Sequence, residues 1–186
     1  MTTDEKLDRA IEFGKKMLNM NGECHPMFHC YANDGKEYVL VVHWKDNKAK
    51  HEAYRKLALA FLTLGINSFT FTAESWALEA KTPKEADEYV RSGKNLEDTP
   101  GRCEIIMALH ISHGEKKSRA VQIVRDLGNV SYKEWKLATG VEIEGDVCDL
   151  LPDADLPECR DDLKQMALKL LAREFILLVG EPKETA

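Results

Sequence analysis

The chain has 186 residues, of which 44% are hydrophobic and 31% charged, with five cysteines and a formal net charge of −6. This composition excludes an intrinsically disordered chain, and the length fits one domain, predicted here to span residues 1–186. Residues 1–10 lack the basic start and apolar stretch of a signal peptide. The longest apolar runs fall well short of the roughly 20 residues that a membrane helix needs. An odd number of scattered cysteines indicates reduced thiols, so we expect a cytoplasmic protein without a membrane partner.

Negative charge is concentrated in one segment of the chain. Between residues 142 and 162, nine carboxylates stand against a single base, Arg160. Binding to nucleic acid through phosphates depends on clustered Lys and Arg, so this balance disfavours a nucleic-acid partner and favours a basic protein partner. Pro152 and Pro157 interrupt regular structure. We therefore expect an exposed, irregular acidic segment at 142–158.

The amino-terminal half alternates between helical and strand patterns. Thr3 is the predicted cap of a first helix that ends at Asn21-Gly22. Turn-forming residues at 33–35 separate two β-rich runs and predict a hairpin of Met27–Tyr31 with Lys36–Trp44. Asp46 or Asn47 then caps a helix that stops at Gly65. The apolar face of that helix is expected to pack on a sheet through Leu57, Phe61 and Leu64.

The second half is dominated by alternating strand patterns. Three strands are predicted, with a polar region between the first two that fits a short helix and loop; they are Ser68–Leu78, Arg102–Ile111 and Ser118–Asp126. Val130–Ala138 fits either a strand or a short helix, and a final helix is predicted over Arg160–Val179. Hairpins with few candidates for parallel crossovers indicate an α+β fold: an antiparallel sheet with helices packed on one face.

Soft metal ligands are dense in one short stretch, where Cys24-His25 is followed by His29-Cys30. Zinc sites usually combine two such pairs separated by a longer interval. A site for zinc or another divalent metal would therefore need one ligand from each pair together with a distant histidine; the candidates are Cys24, His29, His110 and His113. The alternative, which needs no cofactor, is buried cysteines and surface histidines.

Catalytic motifs are scarce. Phosphate-binding glycine loops, the Gly-x-Ser-x-Gly elbow and Cys-x-x-Cys are missing from the sequence. Glu79-Ala80-Lys81 fits a pattern found in some metal-dependent nucleases, but that pattern needs a neighbouring aspartate, for which Asp34 and Asp46 are the upstream options. A small metal-dependent enzyme acting on nucleotides or nucleic acid is therefore kept as an alternative function.

Five residues on the predicted strands form a candidate binding surface. Short connections should make these strands neighbours and bring together charges of both signs and one large aromatic ring; the residues are Glu74, Trp76, Arg102, Glu104 and Arg125. The competing interpretation is a network of ion pairs that fixes the strand register.

A set of short motifs spread over residues 26–126 carries a resemblance to a known group. The motifs are Asn33-Asp34-Gly35-Lys36, Trp44, Glu74-Ser75-Trp76, the run from Glu97 to Met107, and Arg125-Asp126. Their order resembles a group of uncharacterised phage and prophage proteins, in which a strand ending Ser-Glu-Ala-Trp-Met precedes a polar loop, Arg-x-Glu and an apolar strand. The resemblance implies a phage-related origin and no particular activity. The leading hypothesis is a phage-derived or prophage-derived accessory protein that binds a macromolecular partner.

Overall fold

The computed structural model describes residues 1–80, 82–93, 96, 99–135, 146–152 and 159–180. Four α-helices lie in these ranges: α1 (Thr3–Asn21), α2 (Asn47–Leu64), α3 (Pro83–Arg91) and α4 (Asp161–Glu174). None of the helices in the described ranges is long and apolar enough to cross a membrane.

The described residues include seven strands, which form a single sheet in which every neighbouring pair is antiparallel. In chain order they are β1 (Met27–Ala32), β2 (Glu37–Val41), β3 (Ile66–Ala77), β4 (Cys103–Ser112), β5 (Glu115–Asp126), β6 (Asn129–Trp135) and β7 (Ile176–Gly180). Across the sheet the order is β6-β5-β4-β3-β1-β2-β7. The α+β fold with an antiparallel sheet is therefore confirmed.

Helix α2 covers one face of this sheet, as its sequence predicts. The Asp46 carboxylate accepts a hydrogen bond from the Ala49 backbone N–H at 2.7 Å, and Gly65 ends the helix in the left-handed region at φ 66°. Leu57 and Phe61 are fully buried against the sheet. Alternation along β1 and β3 supplies the opposing apolar side chains, since every second residue of a strand points to the same face.

Helix α1 packs on the opposite face, which differs from the prediction that the helices share one face. Its buried residues include Leu7, Ile11 and Leu18, and they meet Met27, Ile106 and other apolar side chains of the sheet. Both faces of the central strands therefore carry apolar side chains that must be buried by a helix. Helices α2 and α4 cover one face and α1 covers the other.

Gly14 is the closest point of contact between α1 and the sheet. A Cβ placed on Gly14 would lie 2.9 Å from Cγ2 of Ile106 and 3.3 Å from Sγ of Cys24, both of which are buried. We expect Gly14→Ala to lower the free energy of unfolding by about 1–3 kcal/mol, because overpacking outweighs the helix propensity gained with alanine. Urea denaturation would measure this change. A stabilised Gly14→Ala protein would contradict it, and Lys16→Ala, on the exposed side of the same helix, is the control.

Several element boundaries differ from the sequence-based ones. The side-chain cap of α1 is Thr2, which forms a capping box with Glu5, and not Thr3. Val130–Ala138 was expected to be either a strand or a short helix, and the structure has a strand over Asn129–Trp135. Residues 136–138 lie outside the described ranges. The predicted final helix ends early at Glu174, and Ile176–Gly180 pairs with β2 instead. Edge pairing in the sheet overrides the helical periodicity there, since these apolar residues also suit a strand.

Only the middle of the predicted acidic segment lies within the described residues. Asp146–Asp149 forms a short 3-10 helix, and Leu150 is 4% exposed in the core beneath α2 and α4. Within the described residues 146–152 the chain is therefore partly buried and includes one helical turn, which differs from the expected exposed, irregular structure; for the rest of 142–158 that expectation stays a prediction. Leu150 and its apolar neighbours anchor the chain there despite the surrounding carboxylates. Residues 142–145 and 153–158 lie outside the described ranges.

Candidate functional site

The five residues of the predicted binding surface lie together at one end of the sheet. Strand β3 extends past the start of β1, so its last residues form a ladder with β4 alone, apart from one backbone hydrogen bond from the Glu74 N–H to the Cys24 carbonyl at 3.4 Å. Glu74 and Trp76 lie on this extension, Trp76 opposite Glu104 of β4. Arg125 projects from β5 and Arg102 immediately precedes β4. We call these five residues the Trp76 surface.

Three of the five form an ion network. Arg125 donates two hydrogen bonds to Glu104, from Nε to Oε2 at 2.8 Å and from Nη2 to Oε1 at 3.3 Å. Its Nη2 also lies 3.6 Å from Oε1 of Glu74. The other oxygen of Glu74 accepts a hydrogen bond from the Cys24 backbone N–H at 3.0 Å. The network thus ties β3, β4 and β5 to the segment that follows α1.

The two carboxyl groups of this network titrate differently. Burial raises the pKa of Glu74, and the neighbouring Glu104 carboxylate adds to the rise. The hydrogen bond from Arg125 lowers the pKa of Glu104. Glu104 is therefore the stronger acid of the two, and Glu74 is the carboxyl group that takes up a proton first on acidification.

The remaining two residues form a stacked pair at the surface. The guanidinium carbon of Arg102 lies 4.7 Å from the centroid of the Trp76 ring, within cation–π distance. Arg102 is exposed, and Trp76 is half-buried. This pair contributes little to the core of the protein and presents a large aromatic ring and a cation to solvent.

The ion network contributes little to the stability of the fold. The side chain of Arg125 is 44% exposed and that of Glu104 is 20% exposed. An ion pair as solvated as this contributes about 1 kcal/mol or less to stability. The network can help to fix the register of β4 with β5, as the competing interpretation holds. Trp76 and Arg102 take no part in this ion network: they contact each other, and Arg102 also donates a hydrogen bond from Nη1 to the Thr99 carbonyl at 3.5 Å.

Two concavities meet at Trp76. The first, with a volume of about 470 Å³, lies between Trp76 and the two arginines and is floored by β4 and β5. The second, with a volume of about 350 Å³, lies where β1 begins and β2 and β3 end. It adds residues that the sequence analysis did not place on the surface: Glu23, His25, Pro26, His43 and Trp44. We call this second concavity the Trp44–Trp76 pocket.

The predicted hairpin of β1 and β2 already indicates that four of these additional residues lie near one another. His25 and Pro26 precede β1, and His43 and Trp44 follow β2. Because β1 and β2 form a hairpin, the start of one and the end of the other must lie at the same end of the sheet. The His25 and His43 rings do meet edge to face, with centroids 5.3 Å apart.

The four candidate metal ligands are not gathered into a site. His29 and His110 are buried beneath α1 on either side of Thr70, whereas His113 is exposed in the β4–β5 turn. Cys24 is buried, and burial together with Glu74 raises the pKa of its thiol to about 12. Among the residues that the structure describes, no three His, Cys, Asp or Glu side chains are grouped to hold a metal ion.

The nuclease-like pattern is also not assembled in the described ranges. Asp34 lies in the β1–β2 turn, at the end of the sheet opposite Glu79, and pairs with Lys36. Asp46 caps α2. Lys81 lies outside the described residues.

A further concave surface, between α2 and α4, is almost entirely apolar. It has a volume of about 510 Å³ and exposes Leu59, Leu163, Met166 and Leu170. The groove lacks the convergent polar groups that orient a small-molecule ligand. It therefore offers contact area without directional chemistry.

Comparisons with family models, curated proteins and solved structures found no match to this chain. Function is therefore inferred from the Trp76 surface itself.

Proposed function

We propose that this protein binds a macromolecular partner through the Trp76 surface, as a cytoplasmic accessory protein of phage or prophage origin. The observation that carries the proposal is the Arg102 guanidinium stacked on the half-buried Trp76 ring at the junction of two concavities. Tryptophan and arginine are the residue types most enriched among those that dominate binding energy at protein interfaces. The phage origin is supported by the motifs that resemble the phage and prophage group.

The charges around Trp76 favour a protein partner over nucleic acid. Arg125 is already paired with Glu104 and Glu74, whereas Arg102 has no carboxylate partner among the residues that the structure describes. Phosphate binding needs several cations aligned along a path. The Trp44–Trp76 pocket instead adds Glu23 to the carboxylates at this end of the sheet. A basic protein partner therefore fits this surface and the net charge of −6.

A pair of tryptophan variants tests the proposal. The partner is first identified by co-purification from the native host, and its affinity for the purified proteins is then measured by calorimetry. We expect Trp76→Ala to weaken binding by at least about tenfold, the loss typical of a central aromatic contact. Trp135→Ala, at the far edge of the sheet on β6, should leave the affinity unchanged.

Thermal melts of the same variants decide between the two interpretations of the surface. A binding residue can be replaced with little loss of fold, so Trp76→Ala and Arg102→Ala should keep a melting temperature near that of the wild type. If both variants instead lose several kcal/mol of stability while the affinity per folded molecule is unchanged, the cluster is structural and the proposal is wrong.

A further inference from the structure

We infer that the Trp44–Trp76 pocket receives a cationic side chain, lysine or arginine, of the binding partner. This inference rests on the proposed function and adds the chemistry of the contact.

Aromatic rings form much of the pocket wall. Trp76 comes from the end of β3, and Trp44 from just beyond β2. The Trp44 ring is held in place by Tyr54, which it meets edge to face with centroids 5.7 Å apart. His25 and His43 add a second pair of rings. Fixed aromatic walls of this kind attract a cation through the negative faces of the rings.

Carboxylates supply the charge. Glu23, Glu74 and Glu104 all line the pocket, and the Glu23 side chain is 62% exposed. Neither Arg102 nor Arg125 lines it. Glu23 contacts Nε2 of His25 at 3.2 Å, and Glu74 and Glu104 share the single cation Arg125. An anionic group would therefore still meet an excess of carboxylates, and a purely apolar group would remove water from them without compensation. A cation would compensate the negative charge of these carboxylates and would also stack on the aromatic rings.

The molecule already shows the contact that we infer. Arg102 places its guanidinium 4.7 Å from the centroid of the Trp76 ring within the first concavity. Trp76 lines both concavities, whereas Arg102 lines only the first, so part of the ring remains available to a second cation. The volume of about 350 Å³ lies at the small end of ligand pockets and accommodates one long side chain.

Capped amino acids test the pocket directly on the purified full chain. The probes are the N-acetyl methylamides of arginine and lysine, with the citrulline derivative as the neutral isostere of arginine. The readout is the indole N–H signals of Trp44, Trp76 and Trp135 in nitrogen-15 NMR spectra. We expect the two cationic probes to shift the signals of Trp44 and Trp76 with a Kd of about 10 mM, as suits one side chain, and to leave Trp135 unmoved.

Charge removal provides the second measurement. Glu23 is exposed, so Glu23→Gln should fold normally; we expect it to weaken arginine binding about fivefold, the scale of a partly solvated ion pair. Glu134→Gln, an exposed carboxylate on β6, is the matched control and should have no effect. Equal shifts with citrulline, or no shift of either pocket tryptophan, would overturn the inference.

The partner assay separates this inference from the proposed function. If Trp76→Ala loses the partner while Glu23→Gln and the cationic probes have no effect, the Trp76 surface binds by another chemistry and only the cation pocket is wrong. If the probes bind but Trp76→Ala retains the partner, the pocket exists and the proposed role of the Trp76 surface is wrong.

Discussion

Phe61→Ala should lower the free energy of unfolding by about 3–5 kcal/mol, the usual cost of removing a buried phenylalanine. Phe61 is fully buried at the centre of the core beneath α2. Its ring centroid lies 6.1 Å from that of Phe28 and 5.3 Å from that of Phe69. Truncation leaves a cavity between rings that the sheet holds apart, so the surrounding residues cannot collapse fully. Since a domain of this kind has a total stability of about 5–15 kcal/mol, the loss is large.

Leu59 of the same helix gives the matched control. It is 62% exposed, and Leu59→Ala should change the stability by about 0.5 kcal/mol or less. Urea denaturation of both variants beside the wild type measures the difference. Similar midpoints for Phe61→Ala and Leu59→Ala would show that α2 does not pack through Phe61 as described.

Acidification from pH 7 to pH 4 should destabilise the protein through two buried histidines. His29 is 6% exposed and His110 is 2% exposed. Burial is the main cause that lowers the pKa of each to about 4, with smaller contributions from Arg9 at His29 and from Lys6 at His110. Within the described part of the chain, Nε2 of His29 has no hydrogen-bond partner that could share a proton.

The loss of stability on acidification follows from proton linkage. The unfolded chain binds protons on these histidines below pH 6.5, whereas the folded protein does so only near pH 4. Their contribution to stability is therefore complete above pH 6.5 and is lost as the pH falls towards 4. It amounts to roughly 3 kcal/mol for each histidine. Because both lie beneath α1, undocking of that helix is the expected route of acid unfolding.

A histidine replacement isolates this effect from the titration of carboxylates. His29→Leu removes one of the two groups at similar volume, so its stability should depend less steeply on pH between 4 and 6.5 than that of the wild type. His113→Gln, at an exposed turn, should retain the wild-type dependence. Urea midpoints measured across this interval give the answer, and identical curves for all three proteins would contradict the prediction.

Core and surface variants together bear on function. Phe61→Ala disturbs the fold without touching the Trp76 surface, whereas Trp76→Ala removes a half-buried ring at the end of the sheet. A variant set in which stability loss follows Phe61 and partner loss follows Trp76 is the pattern that a binding surface requires.

The Trp76 surface could be predicted from the sequence because it depends on hairpin pairing. Once β3, β4 and β5 are recognised as consecutive antiparallel strands, Glu74, Trp76, Glu104 and Arg125 must lie near one another. The stacking of Arg102 on Trp76 could not be predicted, since it depends on side-chain conformations. The contribution of His25, His43 and Trp44 was missed because it depends on the pairing of β1 with β3 across α2, which hairpin patterns do not predict.

The sequence by itself determined the local elements: the capped helix ending at Gly65, the hairpins and the antiparallel class of the sheet follow from short-range patterns and turn chemistry. Only the tertiary structure decided that α1 covers the face opposite α2, and that Ile176–Gly180 leaves the helical pattern to pair with β2. Both outcomes depend on which apolar surfaces meet in space. Periodicity shows that a segment has a face to bury, but its partner is chosen by the burial of the whole chain.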